Sequence, residues 1–331
     1  MRAGLEVFAR RWWAGELGGA GRVLSVLALP LSWAWAGASL VAGVRLAVAS
    51  SQRVEGLTVI SVGNLAVGGT GKTPVVAWIA GQLRDSGVAA AILVGGQGRD
   101  EALLHSKRLP GTRVIVDRDR VAGALQALAA GASGVVLDDG FQHRSLRRDM
   151  DIVLLAAEDA FPGQLLPRGP YRERPGALAR ADVILVTRRS AFIEEGQRLV
   201  ERVEKGGWGE VAGALELAAA GWTHLDGRRA DPPQGDALAV CAIARAAEFR
   251  STVARTLRGS VELVAFADHH EYTPADIVRL EKRASDRAIV VTEKDAVKLS
   301  AYAGTLGDTY VLTEAVRWDW GEEAFVARLQ P

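Results

Sequence analysis

The chain has one cysteine and almost no net charge, +1 over 331 residues. A lone thiol, Cys241, excludes a disulfide framework and a cysteine-rich metal site, and it fits a reducing cytosol. It sits in the apolar run ALAVCAIA, which reads as buried core. Without a basic excess there is no footprint of a nucleic-acid partner. Repeats and long low-complexity segments are also missing, and no protein partner is evident. Apolar residues make up 49% of the chain, enough for a sizeable core and too many for wholesale disorder. The length suits two ordinary domains or one large one.

Charge is absent in one place where it matters. From Val23 to Val44 the sequence VLSVLALPLSWAWAGASLVAGV runs 22 residues without a charged side chain. A helix of that length can cross a bilayer core. Pro30 would kink it, and Trp33 and Trp35 suit a membrane interface. Arg10, Arg11 and Arg22 flank one side and Arg45 and Arg53 the other, so charge bias assigns no orientation. Two other readings stand beside a membrane-associated helix: a cleaved signal peptide ending near Ala47–Ala49, and a helix buried in a soluble core. The run is long for a signal peptide and Arg45 interrupts its end. The membrane reading is the expectation, either spanning the bilayer or lying in its interface.

Beyond Ser51, short β-branched runs alternate with helical stretches, the pattern of a parallel α/β sheet. Strands are expected at 57–62, 88–94, 112–117, 134–139, 150–156 and 182–187, with a helix after 70 and another through AFIEEGQRLVERVEK. The turn-rich segment GWTHLDGRRADPPQGD, Gly221–Asp236, marks a boundary. A second α/β alternation follows, through ALAVCAIA, VELVAFAD and RAIVVTEKD. The expected organisation is a membrane-associated segment at 1–50, a P-loop domain at 51–220 and a smaller α/β domain at 221–331.

What is present is chemically specific. SVGNLAVGGTGKTP places a glycine-rich turn between a strand and a helix, which aims free N–H groups and a positive helix end at a phosphate. Gly68, Gly69, Thr70 and Gly71 form the cradle, Lys72 reaches the β- and γ-phosphates, and the Thr73 hydroxyl suits Mg²⁺. The pattern G-x-x-x-x-G-K-[ST] fails only at its first position, where Ala66 stands. A plain glycine turn would explain neither Lys72 nor the strand-loop-helix context. In VVLDDGFQH an apolar strand ends in Asp138 and Asp139, where a P-loop enzyme keeps its Mg²⁺-associated carboxylate. If both residues stay extended they face opposite sides, one towards the metal and one towards the loop or nucleotide. FADHHEY, Phe266–Tyr272, ends a later strand. Three adjacent residues do not converge on one ion without a sharp turn, so a histidine oriented by a carboxylate is the favoured reading there.

In order along the chain, VGNLAVGGTGKTP, DDGFQH, LLPRGPYRE, FADHHEY and TEKDAVKL, with LPLSW in the apolar run, resemble the tetraacyldisaccharide 4'-kinase family. That family's loop also lacks the first glycine. The resemblance implies a P-loop NTPase-like parallel-sheet domain plus a second, smaller α/β domain joined by a two-stranded linker, near ALELAAAGWTHL and TYVLTEAV, with an N-terminal membrane helix. It implies ATP- and Mg²⁺-dependent phosphorylation of the 4'-hydroxyl of a tetraacylated disaccharide 1-phosphate, giving lipid IVA at the cytoplasmic face of the bacterial inner membrane.

By motif, Lys72 and Thr73 serve phosphate and Mg²⁺, with Asp138 and Asp139 in the Walker-B-like position. The family's catalytic aspartate–histidine pair maps onto Asp100 and His269. Arg172 and Glu173 are expected acceptor contacts, and an arginine suits a phosphate-bearing sugar. The chain departs from the family at Val94–Gly98, which reads VGGQG in place of Ser-Arg-Gly-Tyr-Gly, and at Arg99 and Ala102 around Asp100. Two rival functions remain: a kinase of a soluble sugar, and a membrane-associated ATPase switch without an acceptor.

Overall fold

The alternation resolves into a run of strands and helices in a computed structural model that describes residues 2–48, 51–96 and 99–329. Three helices come first: α1 (Arg2–Trp13), α2 (Gly18–Leu27) and α3 (Leu29–Val48). Then follow β1 (Thr58–Asn64), α4 (Lys72–Asp85), β2 (Ala90–Val94), α5 (Arg99–Arg108), β3 (Arg113–Val116) and α6 (Arg120–Ala129). Next are β4 (Gly134–Asp138), β5 (Met150–Ala156), β6 (Val183–Arg188), α7 (Ile193–Lys205), β7 (Val211–His224) and β8 (Arg229–Ala230). The remainder is β9 (Ala237–Cys241), α8 (Ala246–Thr256), β10 (Val261–Ala265), α9 (Pro274–Ala284), β11 (Ala288–Thr292), α10 (Glu293–Leu299), β12 (Thr309–Trp320) and α11 (Glu322–Leu329).

Contacts divide the chain into two compact units. The larger holds Ala9–Glu216 and the chain from Val316 onward, the smaller Leu217–Ala315 with the start of α1. Strands β7 and β12, which contain the expected linker segments, have residues in both. The expected 221–331 domain therefore differs from the smaller unit at its end. Aromatic packing is the reason: Trp318 lies 5.3 Å from Trp78 of α4 and 5.3 Å from Phe325 of α11, ring centre to ring centre. Phe325 is almost wholly buried, so the last helix is core to the larger unit.

In the larger unit the strands run β7-β6-β5-β1-β4-β2-β3, every pair parallel. Strand β4 is buried at every position and β1 and β5 at all but their first, as strands covered on both faces must be. That is why they read as unbroken apolar runs. The chain moves from β1 to β2 and β3 on one side, then crosses through β4 to β5 and β6 on the other. Ligands bind beyond the carboxyl ends of the strands at such a reversal. Helix α4 covers this region with buried Val75, Val76, Ile79, Ala80 and Leu83.

The smaller unit orders its strands β10-β9-β11-β12, also parallel. Cys241 is buried in β9, and burial, reinforced by the Asp295 charge, pushes its thiol up to about 12. It is core and unreactive, as its apolar context implied.

The charge-free run forms two helices, not one. Helices α2 and α3 meet at Ala28 with a bend of 51°, and Pro30 falls in the first turn of α3, where its missing N–H costs no helical bond. Among the described residues no single helix is long and apolar enough to cross a membrane, whereas the bent pair Gly18–Leu27 and Leu29–Val41 meets that test together. The run is not ordinary core, because Val23, Leu27, Trp33 and Leu40 are each about 60–70% exposed. Ala49 of the considered cleavage site lies outside the described residues.

The approach of β1 to the segment after β4 is tight. A Cβ added at Gly63 would stand 2.4 Å from the Phe141 Cβ and 2.9 Å from its backbone nitrogen, and Phe141 is fully buried. Gly63→Ala is therefore expected to destabilise the fold by about 1–3 kcal/mol. The check is a lower urea midpoint with an unchanged slope.

Candidate active site

The glycine-rich loop leaves β1 at Asn64 and enters α4 at Lys72. Gly68 and Gly71 take positive φ of 123° and 87°, conformations that favour glycine. Gly71 is the N-cap of α4 and offers no side-chain acceptor, so the first amides of the helix are uncapped by protein. The loop is braced from below. The Asn64 side-chain amide donates to the Thr70 hydroxyl at 2.8 Å, and the Thr187 hydroxyl at the end of β6 donates to the Thr70 carbonyl at 3.0 Å.

The structure answers the missing glycine. Ala66 forms an antiparallel bridge with Tyr171 and is buried. On either side the Val67 amide donates to the Pro170 carbonyl at 2.8 Å and the Arg172 amide to the Leu65 carbonyl at 2.7 Å. Paired, extended backbone with negative φ needs no glycine. The first turn of the loop is thus held by the segment LLPRGPYRE, not by a glycine of its own.

Lys72, Thr73, Asp138, Asp139 and Arg172 come together. The Thr73 hydroxyl donates to Asp138 Oδ2 at 3.5 Å, and the Lys72 ammonium pairs with Asp139 Oδ1 at 3.3 Å. Arg172 donates to Asp139 Oδ2 at 3.2 Å. The expected alternation of the two aspartates does not occur, because β4 ends at Asp138 and Asp139 turns into left-handed backbone with φ 57°. Aspartate tolerates that region better than most residues. The two still part company: Asp138 faces Thr73 and Asp139 faces Lys72 and Arg172. Burial pulls the Asp139 carboxyl up, but the charges and hydrogen bonds of Lys72 and Arg172 outweigh it and hold the group below its ordinary value.

Glu173 does not join its neighbour. It pairs with Arg180 at 2.9 Å and accepts from the Gln142 side-chain amide at 3.1 Å. The Arg180 guanidinium in turn stacks 4.4 Å from the Phe141 ring centre. Asp100 lies in the first turn of α5, half-buried. Gln97 and Gly98, part of the departure at 94–98, lie outside the described residues.

His269 belongs to the smaller unit and also has positive φ, 59°. Its backbone amide donates to Asp268 Oδ1 at 3.1 Å, and its Nε2 stands 3.2 Å from the Lys294 ammonium, which pairs with Asp268 at 3.3 Å. His269 Nε2 also lies 4.0 Å from Asp268 Oδ1, and the next residue pairs more closely: His270 Nε2 lies 3.1 Å from Asp276 and its ring stacks on Phe266. Among the described residues no three His, Cys, Asp or Glu side chains converge on one point.

Three polar residues of this site were not singled out by sequence reasoning. Asn64 braces the loop. Arg120, 3% exposed, donates to the Asp138 carbonyl at 3.2 Å, and burial lowers its pKa against the opposing pull of Asp138 and Asp139. His105 of α5, fully buried, lies 2.9 Å from Asp138 Oδ2. A single polar residue in a mixed segment leaves no periodic trace, so only proximity to the aspartates reveals these.

A parallel sheet with a glycine-rich, lysine-bearing loop at its reversal and two carboxylates at the adjacent strand end defines a phosphate-binding P-loop protein. Comparison narrows the class. Residues 24–100 and 94–331 match the family described as tetraacyldisaccharide-1-P 4'-kinase. The tetraacyldisaccharide 4'-kinase of Anaeromyxobacter dehalogenans (strain 2CP-C) is 38% identical over 288 residues, covering 76% of this chain and 75% of that one. Its namesake in Anaeromyxobacter sp. (strain K) is 35% identical over 339 residues, covering 90% and 87%. The chain belongs to the tetraacyldisaccharide 4'-kinase family. In fold it resembles the "apo" form of LpxK from Aquifex aeolicus in complex with ATP, with a TM-score of 0.69 and 23% identity over 92% of this chain and 99% of that one.

Asp139 also predicts how stability depends on acid. Its ordinary value is 3.8 and the folded value is lower. The stabilisation it contributes is therefore complete above 3.8 and is lost as pH falls through the folded value. Asp139→Asn should lower stability at pH 7, and the gap between variant and wild type should close below about pH 3.8. Urea melts at pH 7, 5, 4 and 3 measure it.

Proposed function

We propose that this chain transfers the γ-phosphoryl group of ATP to the 4'-hydroxyl of a tetraacyldisaccharide 1-phosphate, the step that gives lipid IVA in lipid A biosynthesis. Membership of the 4'-kinase family carries the reading, and the Lys72–Asp139–Arg172 cluster at the loop supplies the chemistry it needs. ATP as the donor is supported by the complex in which the Aquifex aeolicus protein was solved.

Phosphoryl transfer asks a protein mainly for positioning and charge stabilisation. The uncapped amides of Gly71, Lys72 and Thr73 face the phosphates at the positive end of α4. Lys72 exchanges its Asp139 partner for the β- and γ-oxygens when nucleotide enters. Asp139, still paired with Arg172 at 3.2 Å, remains beside the loop as a counter-charge. The Thr73 hydroxyl and the Asp138 carboxylate, 3.5 Å apart, are the hard oxygen donors that Mg²⁺ takes, so they fit that ion and would hold it. When bound, Mg²⁺ supplies charge neutralisation at the phosphate oxygens. Asp100 and His269 are the groups this reading assigns to the sugar hydroxyl's proton. Arg172 and Glu173 lie in the segment assigned to the acceptor.

The reading includes attachment to the cytoplasmic face of the bacterial inner membrane. Supporting it, the exposed apolar faces of α2 and α3 sit on a scaffold tied to the acceptor segment. The Trp13 indole donates to the Pro167 carbonyl at 2.9 Å and the Ser32 hydroxyl to the Leu165 carbonyl at 3.3 Å. The Trp35 indole donates to the Arg172 carbonyl at 2.9 Å. An acceptor held by four acyl chains, at about 0.8 kcal/mol for each buried methylene, does not leave the bilayer. An enzyme acting on it gains from lying in the same surface.

Two outcomes follow. Lys72→Ala removes a charge contact that strengthens as negative charge grows on the β–γ bridge. It should lower kcat by on the order of 10²-fold or more, and near-normal turnover at saturating ATP would remove the loop from catalysis. Replacing Val23, Leu27, Trp33 and Leu40 together by serine should shift the protein from the membrane to the soluble fraction. The same variant should raise KM for the lipid acceptor more than for ATP. A variant that stays on membranes with an unchanged KM would show that another surface makes the attachment.

A further inference from the structure

One fully buried titratable side chain, His105, takes no part in the chemistry above. Its Nε2 lies 2.9 Å from Asp138 Oδ2, and its Nδ1, also buried, has no hydrogen-bond partner among the described residues. An ionised carboxylate only accepts, so Nε2 is the donor in this bond. Burying the other ring nitrogen unpaired is a cost that an apolar side chain at position 105 would not carry. What the imidazole alone supplies is the bond to Asp138.

That bond falls at a junction. Asp138 Oδ2 also accepts from Thr73, and the Asp138 carbonyl accepts from Arg120, so its carboxylate is reached from α4 and α5 and its backbone from α6. Helix α5 carries Asp100 in its first turn and His105 five residues later. The imidazole therefore pins the inner face of the helix that bears a candidate base to the carboxylate on the metal side.

We infer that His105 is a positioning residue for phosphoryl transfer: its Nε2–H holds the Asp138 carboxylate in the orientation that meets Thr73, and it fixes α5 against the end of β4. The inference rests on the reading of Asp138 as the Mg²⁺-side carboxylate. Groups one step removed from a metal orient its ligands, and losing one typically weakens metal affinity by 10–100-fold.

The test uses the full-length protein in detergent, the non-hydrolysable ATP analogue AMP-PNP, and Mn²⁺ as the probe, titrated by electron paramagnetic resonance. His105→Leu keeps the volume and removes the donor; His105→Gln keeps a donor near the place of Nε2. The account expects His105→Leu to weaken Mn²⁺ binding on the order of tenfold while leaving metal-free AMP-PNP affinity unchanged. It expects His105→Gln to stay within about threefold of wild type, and the kcat of His105→Leu to recover in part at high Mg²⁺. Asp138→Asn serves as the reference. If Asp138→Asn loses Mn²⁺ and His105→Leu does not, His105 only packs and the inference fails. Equal losses in His105→Leu and His105→Gln would likewise overturn it, because the donor would not be what matters. If Asp138→Asn binds Mn²⁺ like wild type, the reading of Asp138 falls, and the inference with it. Melting temperatures within a few degrees of wild type identify variants that report on the bond and not on misfolding.

Discussion

Everything at this site depends on one meeting of charges: the carboxyl end of β4 against the amino end of α4. Two carboxylates adjacent in sequence take different partners on either side of a left-handed backbone turn at Asp139. Asp138 stays in the strand, nearly buried, and looks at Thr73. Asp139 leaves it and pairs with both Lys72 and Arg172. Without Asp139 two cations would crowd the loop with no counter-charge; without Asp138 the Thr73 hydroxyl would lose its carboxylate neighbour. The glycine turn, the braces from Asn64 and Thr187 and the close approach of Gly63 to Phe141 all keep that geometry fixed.

The same segment that completes the charge cluster also stands in for the loop's missing glycine. Tyr171 bridges Ala66 and Arg172 pairs with Asp139, so LLPRGPYRE braces the phosphate loop and reaches its lysine's partner. Because the Trp13, Ser32 and Trp35 side chains donate into residues 165–172, the exposed apolar helices connect to the loop through one short stretch of backbone. Membrane attachment, as proposed, and phosphate binding would then share a support.

Much of this was legible in the residues. Strands β1, β4, β5 and β6 are buried on both faces, so burial writes them as apolar runs, and the loop and its lysine follow from glycine spacing. The aspartates were found but their geometry was not, since alternation assumes an extended chain and Asp139 takes left-handed backbone. Ala66 could not be explained from sequence, because its partner Tyr171 lies more than a hundred residues away. His105 and Arg120 were missed for a related reason: each is a polar residue whose meaning comes from burial beside Asp138. That Trp318 and Phe325 pack on Trp78, which places the chain from Val316 onward with the larger unit, is likewise visible only in the fold.

The most direct measurement of the central claim is the fate of the γ-phosphorus in a purified reaction. Full-length protein, γ-labelled ATP and Mg²⁺ are combined in detergent with tetraacyldisaccharide 1-phosphate, or with no acceptor, and the product is read by ³¹P NMR. The account predicts acceptor-dependent ATP consumption and a second phosphomonoester, at the 4'-position, in the lipid. ATP hydrolysis that proceeds equally without acceptor, with no new lipid phosphate, would contradict it.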